Sequence, residues 1–275
     1  MIKKILVALD ASSCANAVLN YSIELALSHN ARLTGVVVEN TKALENVGPA
    51  SVGAGFYAKQ LREYQVAKTQ KKISEIIAGF ESACKSANLT YGIKWEKGEP
   101  LNVMASCAQY HDLTITGLRD LFDYGVISEP KKLLRRLVCS GVHPLIALSP
   151  QAVKTQRVLI VCDGSRESAT AIQAFVRLHP WPHSVSRILC CEHSGNNSQQ
   201  LLKDSSEYCQ AHGLSVENAM LMCRSKERLL EHAMRWSADL IVTSQCPRND
   251  GVRHIFNHPM DRLIKDSQIP ILIAS

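Results

Sequence analysis

The chain has 275 residues, of which 46% are hydrophobic, and this is enough to bury the cores of two domains and excludes a disordered protein. No apolar run reaches the ~18 residues that span a bilayer, and Asp10 interrupts the N-terminal apolar stretch too early for a signal peptide, so we expect no membrane association. The net charge of +6 is too mild to indicate a nucleic-acid partner. The ten cysteines lie mostly in apolar or helix-like segments, which favours reduced thiols in the cytoplasm.

The first half alternates strands and helices. Apolar, β-branched runs predict strands, and longer amphipathic stretches predict helices. We expect Ser12 or Ser13 to cap the first helix and Pro100 to open a later one. The predicted strands are 3–9, 32–38, 90–96, 112–117 and 144–148. The predicted helices lie between them: one ends at 29, one spans 60–87, one begins at 100, and a basic helix spans 130–139.

The second half repeats the first. Its predicted strands lie near 157–162, 186–191, 215–222, 239–243 and 270–274. Three sequence blocks recur in one order: Lys4–Ser12 in Arg157–Ser165, Asp112–Gly117 in Asp239–Ser244, and His143–Leu148 in Ile269–Ala274. We therefore predict two copies of one domain, residues 1–149 and 156–275, with a linker between them.

The two copies differ in length in one place. Asp10 and Asp163 lie 153 residues apart, whereas Asp112 and Asp239 lie 127 apart. The first copy therefore carries 26 more residues between these blocks. We place the surplus around 41–70, where the glycines of residues 48–55 indicate a loop.

Alternating strands and helices predict an α/β fold with a five-stranded parallel sheet in each copy. Ligands of such sheets bind beyond the carboxyl ends of the strands, at the point where the strand order reverses. In the first copy this is where Asp10 and Ser12 meet Gly117. In the second copy it is where Asp163 and Ser165 meet Ser244, and these residues are the candidate site. Both aspartates could equally serve only as turn or helix caps.

The repeated blocks resemble the universal stress protein family in its tandem form, over nearly the whole chain. The residues that carry the resemblance are Lys4–Asp10 with Ser12, Asp112–Gly117 and Pro144–Leu148, together with their copies Arg157–Ser165, Asp239–Ser244 and Pro270–Ala274. The resemblance implies a Rossmann-like domain, related to adenine-nucleotide hydrolases, that dimerises through its last strand. A tandem chain would then form a pseudo-dimer with itself, pairing the strands at 144–148 and 270–274.

The resemblance also implies where ATP would bind. Some members place the aspartate after the first strand near adenine, with backbone from the end of the second strand; here these are Asp10 with Val38, and Asp163 with Cys191. A glycine-rich stretch, G-x2-G-x9-G-[ST], then holds the phosphates, because only glycine lets backbone amides approach so closely.

That glycine stretch is largely lost in both copies. The first copy reads Gly117, Asp120, Pro130 and Lys131, which adds a carboxylate and removes an amide donor. The second copy reads Ser244, Pro247, Asn257 and His258 and keeps no glycine. We therefore expect ATP or AMP to bind weakly or not at all.

Two other groups of residues favour a structural interpretation. A basic cluster at helical spacing, Lys131, Lys132, Arg135 and Arg136, could hold an anion, but a solvated helix face is the more ordinary explanation. The run Cys190–His193 could suggest a metal, but consecutive strand residues point to opposite faces, so they cannot all bind one ion. We predict no metal site.

The preferred prediction is a cytoplasmic, non-enzymatic regulatory or binding module with degenerate ATP loops, no firm cofactor and an unidentified protein partner. A homodimer of two chains stays open. The first alternative is an adenine-nucleotide sensor in which Lys131 or His258 replaces the lost amides. The second is a phosphate-transferring enzyme, for which Asp120 and Asp123 are the only candidate metal ligands.

Overall fold

A computed structural model describes most of the chain, and contacts within it form two compact units. One unit is residues 3–142, and the other is residues 143–275 together with Met1 and Ile2. The described residues are 1–40, 55–119, 121–122, 124, 133–151, 154–191, 198–221, 227–244, 263 and 267–274.

The unit of residues 3–142 is an α/β fold whose strand order is β3-β2-β1-β4. All three strand pairings are parallel. The central strands are buried because their side chains are apolar on both faces, as parallel sheets covered by helices require. Its elements are β1 (Lys4–Ala8), α1 (Ala15–His29), β2 (Arg32–Glu39), α2 (Gly55–Ser86), β3 (Tyr91–Lys97), α3 (Pro100–Ala108), β4 (Leu113–Gly117) and α4 (Leu133–Cys139).

The unit that contains residues 143–275 has the strand order β5-β10-β9-β6-β7-β8. Its pairings are parallel except for β5 with β10. Its elements are β5 (Leu145–Leu148), β6 (Arg157–Cys162), α5 (Arg166–Leu178), β7 (Val185–Cys191), α6 (Ser198–Ala211), β8 (Val216–Leu221), α7 (Glu227–Arg235), β9 (Leu240–Ser244) and β10 (Ile271–Ala274).

The predicted α/β class and the predicted strands are confirmed, each to within about two residues. The antiparallel pair of β5 and β10 joins the last strands of the two sequence repeats. Ile146 pairs with Leu272, which is its own equivalent in the second repeat. Strand β5 lies in the unit of residues 143–275, although the sequence assigns it to the first copy. The domain limits 1–149 and 156–275 stay a prediction.

The recurring aspartate of the second sequence block has the same structural role in both repeats. One carboxylate oxygen of Asp112 accepts the backbone N–H groups of Lys3 and Lys4, at 2.7 and 2.9 Å. One oxygen of Asp239 accepts those of Gln156 and Arg157, at 3.0 and 2.9 Å. In each repeat the aspartate therefore ties the start of the fourth strand to the start of the first.

Two helices begin elsewhere than the sequence predicts. The N-cap of α1 is Cys14, not Ser12 or Ser13, and Ser12 instead accepts the Cys14 N–H with its hydroxyl at 3.2 Å. Helix α2 begins at Gly55 rather than at 60. Much of the predicted 41–70 insertion is thus helix, while residues 41–54 lie outside the described part of the chain.

The helices and the cysteines bear on the predictions made from composition. Within the described ranges, no helix is both long enough and apolar enough to cross a bilayer. Seven cysteines there have free thiols, and all of them except Cys139 are buried. Burial raises the pKa of the Cys84 and Cys209 thiols to about 11, which keeps both in the protonated, unreactive form.

Candidate functional site: the carboxyl ends of the central strands

In the first repeat, Asp10 lies at the carboxyl end of β1 with its side chain buried. One carboxylate oxygen accepts the Ser12 N–H at 3.0 Å, which forms a tight turn before α1. The other oxygen accepts the Phe122 N–H at 3.1 Å. Phe122 follows β4, so Asp10 joins the two strand ends between which the sequence predicts a ligand.

Val38, the residue predicted to offer its backbone to adenine, contacts a side chain of its own repeat. Its N–H donates to the hydroxyl oxygen of Tyr124 at 3.1 Å. The same hydroxyl donates to the Leu9 carbonyl at 3.3 Å. Tyr124 thus connects the ends of β1 and β2 from a position beyond β4.

The Tyr124 side chain is buried, and its hydroxyl stays protonated. Burial raises the pKa of Tyr124 above its usual range, and the charge of Asp10 raises it further, although the Val38 N–H acts in the opposite direction. A neutral phenol can donate and accept at once, as the bridge between Val38 and Leu9 requires. The bridge is therefore independent of pH over the range in which proteins are handled.

Gly117, the one glycine of the predicted phosphate stretch that survives, has a packing reason to be glycine. A Cβ atom added there would lie 3.0 Å from the Cys14 Cβ atom and 3.2 Å from the Arg119 carbonyl oxygen. Both distances are shorter than ordinary contacts. The close approach of the end of β4 to the start of α1 therefore favours glycine at this position.

In the second repeat, Asp163 is exposed at the end of β6 and accepts the Ser165 N–H at 2.9 Å. Burial raises the pKa of this carboxyl, but hydrogen bonds from Ser165 and Ser168 outweigh it, so the pKa is lowered overall. Ser165 is the N-cap of α5, and its hydroxyl accepts the Ser168 N–H at 3.0 Å. Asp163 and Ser165 thus form the capped turn that the sequence offers as the alternative to ligand binding.

The remaining predicted site residues are placed only in part. Ser244 ends β9 and is half-buried, and Cys191 ends β7 beside Leu221 of β8. Lys131 lies outside the described residues, as do Asp120, Asp123, Pro130 and Lys132, and in the second repeat Pro247, Asn257 and His258.

The other groups considered in the sequence give no site among the residues described. Arg136 of the predicted basic cluster forms an ion pair with Glu99 at 3.0 Å, so part of its charge is already neutralised. Cys190 is buried in β7, while Glu192 and His193 fall outside the described ranges. No group of three histidine, cysteine or carboxylate side chains within those ranges could hold a metal ion.

A model of the universal stress protein family matches residues 1–88, which contain β1, β2 and the Asp10 turn. Within its first repeat, the chain therefore matches the universal stress protein family. No curated protein matches the sequence at a significant level. The matched segment holds Asp10, Ser12 and Val38, and the Tyr124 contact lies beyond it.

Solved structures show that the same fold extends over the whole chain. A universal stress protein from Archaeoglobus fulgidus is 14% identical, with a TM-score of 0.73, over 99% of this chain and 98% of that one. A protein of unknown function from Pseudomonas aeruginosa PAO1 is also 14% identical, with a TM-score of 0.56, over 99% and 92%. A universal stress protein in complex with cAMP covers 44% of this chain and 98% of its own, at 19% identity and a TM-score of 0.39.

The sequence did not indicate the residues that fill the first-repeat site. Phe122 and Tyr124 are both buried just after β4, where the resemblance implies a glycine-rich stretch. The available signal was the composition of that stretch: Leu121, Phe122 and Tyr124 are large and mostly apolar, and residues of this kind tend to be buried.

Proposed function

We propose that this tandem universal stress protein is a non-enzymatic regulatory or binding module whose first repeat does not bind nucleotide. The observation that carries the proposal is the Tyr124 hydroxyl, which bonds the Val38 N–H and the Leu9 carbonyl. The Val38 backbone is the group that the resemblance assigns to adenine recognition, and a buried phenol already occupies its N–H.

Nucleotide binding in the first repeat would have to displace this contact. Displacement would expose the Tyr124 ring to water, which is unfavourable for a large apolar group. The Val38 N–H and the Leu9 carbonyl would also lose their present partner. The lost glycines provide little in return, because Asp120 and Pro130 are poor partners for phosphate.

The described residues also favour binding over catalysis. Two carboxylates are buried at the strand ends of the first repeat within the described ranges. Both oxygens of Asp10 accept backbone N–H groups, and Glu39 contacts Gln70 and Lys97. The buried free thiols support a reducing compartment, and we propose the cytoplasm. The pairing of Ile146 with Leu272 supports the intramolecular pseudo-dimer, and we propose that the chain acts through an unidentified protein partner.

An adenine-nucleotide sensor is the second candidate, and it would use the second repeat. Asp163 is exposed there, in contrast to the buried Asp10. Counted with the offset of the Asp112 and Asp239 blocks, the positions of Phe122 and Tyr124 correspond to Asn249 and Gly251, so no aromatic ring is supplied at these positions. We therefore propose that weak ATP or AMP binding, if the chain has any, occurs in this repeat.

Calorimetric titration with ATP and AMP, together with an assay of phosphate release, tests the proposal. We expect the wild type to release no phosphate and to bind at most one nucleotide, weakly. Asp163→Ala should abolish that binding, and Asp10→Ala should leave it unchanged. Two sites per chain, or phosphate release that depends on Asp10, would overturn the proposal.

A further inference from the structure

Helix α2 carries an exposed apolar stripe at its N-terminal end. The stripe is formed by Tyr57, Leu61 and Tyr64. The neighbouring ring of Phe56 stands edge-on to the ring of Tyr57, with 6.1 Å between the ring centroids. Their exposed fractions are large for such residues: Phe56 68%, Tyr57 75%, Leu61 47% and Tyr64 64%. Contiguous apolar surface of this kind marks an interaction site more often than chance exposure.

The stripe cannot be covered by the sheet of its own unit. The residues of α2 that are buried against the fold are Thr69, Ile73, Phe80 and Cys84. At roughly 100° per residue, Tyr57, Leu61 and Tyr64 are centred about 140° around the helix from that set. The described side chains between 56 and 64 are all exposed, so these first turns extend beyond the part of α2 that is packed.

This extension belongs to the first repeat alone. Helix α2 has 32 residues, whereas its counterpart α6 has 14. The additional turns fall in the segment by which the first copy is longer, so the aromatic residues were not required by the fold that both repeats share. An inserted, exposed and aromatic helix end is consistent with a binding surface.

We propose that this stripe binds a second copy of the chain through antiparallel pairing of the two α2 ends about Leu61. The spacing is nearly symmetric, because Tyr57 precedes Leu61 by one turn and Tyr64 follows it by one turn. Antiparallel pairing therefore places Leu61 on the partner's Leu61 and each Tyr57 beside the partner's Tyr64. Aromatic pairs in such contacts add about 0.5–1.5 kcal/mol beyond their buried area.

The charges near the stripe permit self-association. Gln60 and Gln65 border it on either side, and both are uncharged, so no like charges face each other across the pair. The salt bridge of Lys59 with Glu63 lies on the far side of the helix. Lys68, one turn beyond Tyr64, ends the stripe and confines the contact to about two turns.

The available area fits a weak, reversible dimer. An aromatic side chain buries about 150–250 Å² when fully covered, so the exposed parts of Tyr57, Leu61 and Tyr64 offer roughly 350 Å² per copy and about 700 Å² for the pair. This is below the ~1,200–2,000 Å² of stable complexes and within the range of transient ones. Association should therefore depend on concentration.

Sedimentation equilibrium of the full chain, from about 1 to 200 μM, tests the proposal. We expect the mean mass to rise from one chain towards two. Leu61→Glu should weaken the dimer at least tenfold, whereas Arg62→Gln, which changes the net charge equally on the adjacent residue, should not. Both positions are exposed, so thermal unfolding should show both variants folded. A wild type that stays monomeric, or a dimer that Leu61→Glu leaves intact, would overturn the proposal.

A disulfide cross-link tests whether the partner bound at the stripe is a second copy of the chain. Leu61→Cys should form a disulfide between two chains on mild oxidation, recovered as a symmetric peptide pair, and Arg62→Cys should form far less. Absence of that pair at concentrations where the wild type dimerises would place the contact elsewhere and would contradict pairing about Leu61.

Discussion

The hydroxyl oxygen of Tyr124 lies 3.1 Å from the backbone nitrogen of Val38, a residue 86 positions earlier in the chain. This contact connects the segment after β4 to the end of β2 across the end of β1. In an open α/β sheet a ligand would bind in that crevice. Here the protein's own phenol and the buried Asp10 fill it, and the first repeat gains stability where a binding protein would keep an open pocket.

Tyr124→Phe tests the contribution of this contact to stability. The substitution keeps the ring and removes only the hydroxyl, which leaves the Val38 N–H and the Leu9 carbonyl without that partner. We expect the free energy of unfolding in urea to fall by about 1–3 kcal/mol, the cost of unsatisfied buried polar groups. Tyr110→Phe is the matched control, because Tyr110 is 78% exposed, and it should change stability by less than ~0.5 kcal/mol. Equal effects of the two substitutions would show that the Tyr124 hydrogen bonds contribute nothing.

Gly117→Ala tests the packing explanation for the glycine at the start of the predicted phosphate stretch. The new methyl group would press on Cys14 and on the Arg119 carbonyl, so we expect a loss of about 1–3 kcal/mol in the free energy of unfolding. Gly79→Ala is the control: it lies inside α2 with no atom within 4 Å of the added Cβ, and it should stabilise the helix by about 0.5–1 kcal/mol. If Gly117→Ala were neutral, the glycine would need another explanation.

Ser165→Ala tests the capped turn of the second repeat. The hydroxyl of Ser165 accepts the Ser168 N–H at the start of α5, and its loss should lower the free energy of unfolding by about 0.5–2 kcal/mol. Ser165→Asn should retain most of the stability, because asparagine is an equally good N-cap. A result in which both variants lose the same amount would mean that Ser165 contributes through something other than capping.

His111 should make stability fall at mildly acidic pH. Burial lowers its pKa below 6.5, and although its hydrogen bond to the Cys107 carbonyl opposes this, Lys4 and Lys94 lower the pKa further. The unfolded chain therefore takes up the proton at a higher pH than the folded chain, so stability decreases as pH falls through 6.5 towards the native pKa. Comparing unfolding at pH 7.5 and 5.5, we expect His111→Gln to remove part of this decrease and His183→Gln, at an exposed histidine, to preserve it. No difference between the two variants would contradict the assignment.

The sequence predicts the scaffold well because the scaffold depends on local and periodic signals. The apolar runs around Leu6 and Leu159 fit strands buried on both faces, and the repeated blocks indicate two copies of one fold. The role of Asp112 and Asp239 is also traceable to their recurrence, since both bind the start of a neighbouring strand. These features need no knowledge of long-range packing.

The filled site was not predictable in the same way. A contact between Tyr124 and Val38 depends on how a segment after β4 folds back over two strand ends, and no periodicity encodes it. The interpretation of Gly117 as a remnant of the phosphate stretch has a related difficulty. In the sequence, a glycine needed for close packing against Cys14 cannot be distinguished from one needed to approach phosphate. The start of α1 also shifted, since Ser12 forms the turn after Asp10 instead of the cap.

Photolabelling with 8-azidoadenosine tests the central claim most directly. This probe carries no phosphate, so its binding does not depend on the lost glycine stretch. The wild type and Tyr124→Ala are irradiated with the probe, and labelled peptides are mapped to each repeat. The account predicts no labelling of residues 3–142 in the wild type, and labelling near Asp10 or Val38, competed by adenosine, once Tyr124 is removed. Competed labelling of the same peptides in the wild type would contradict the claim that Tyr124 closes the first-repeat site.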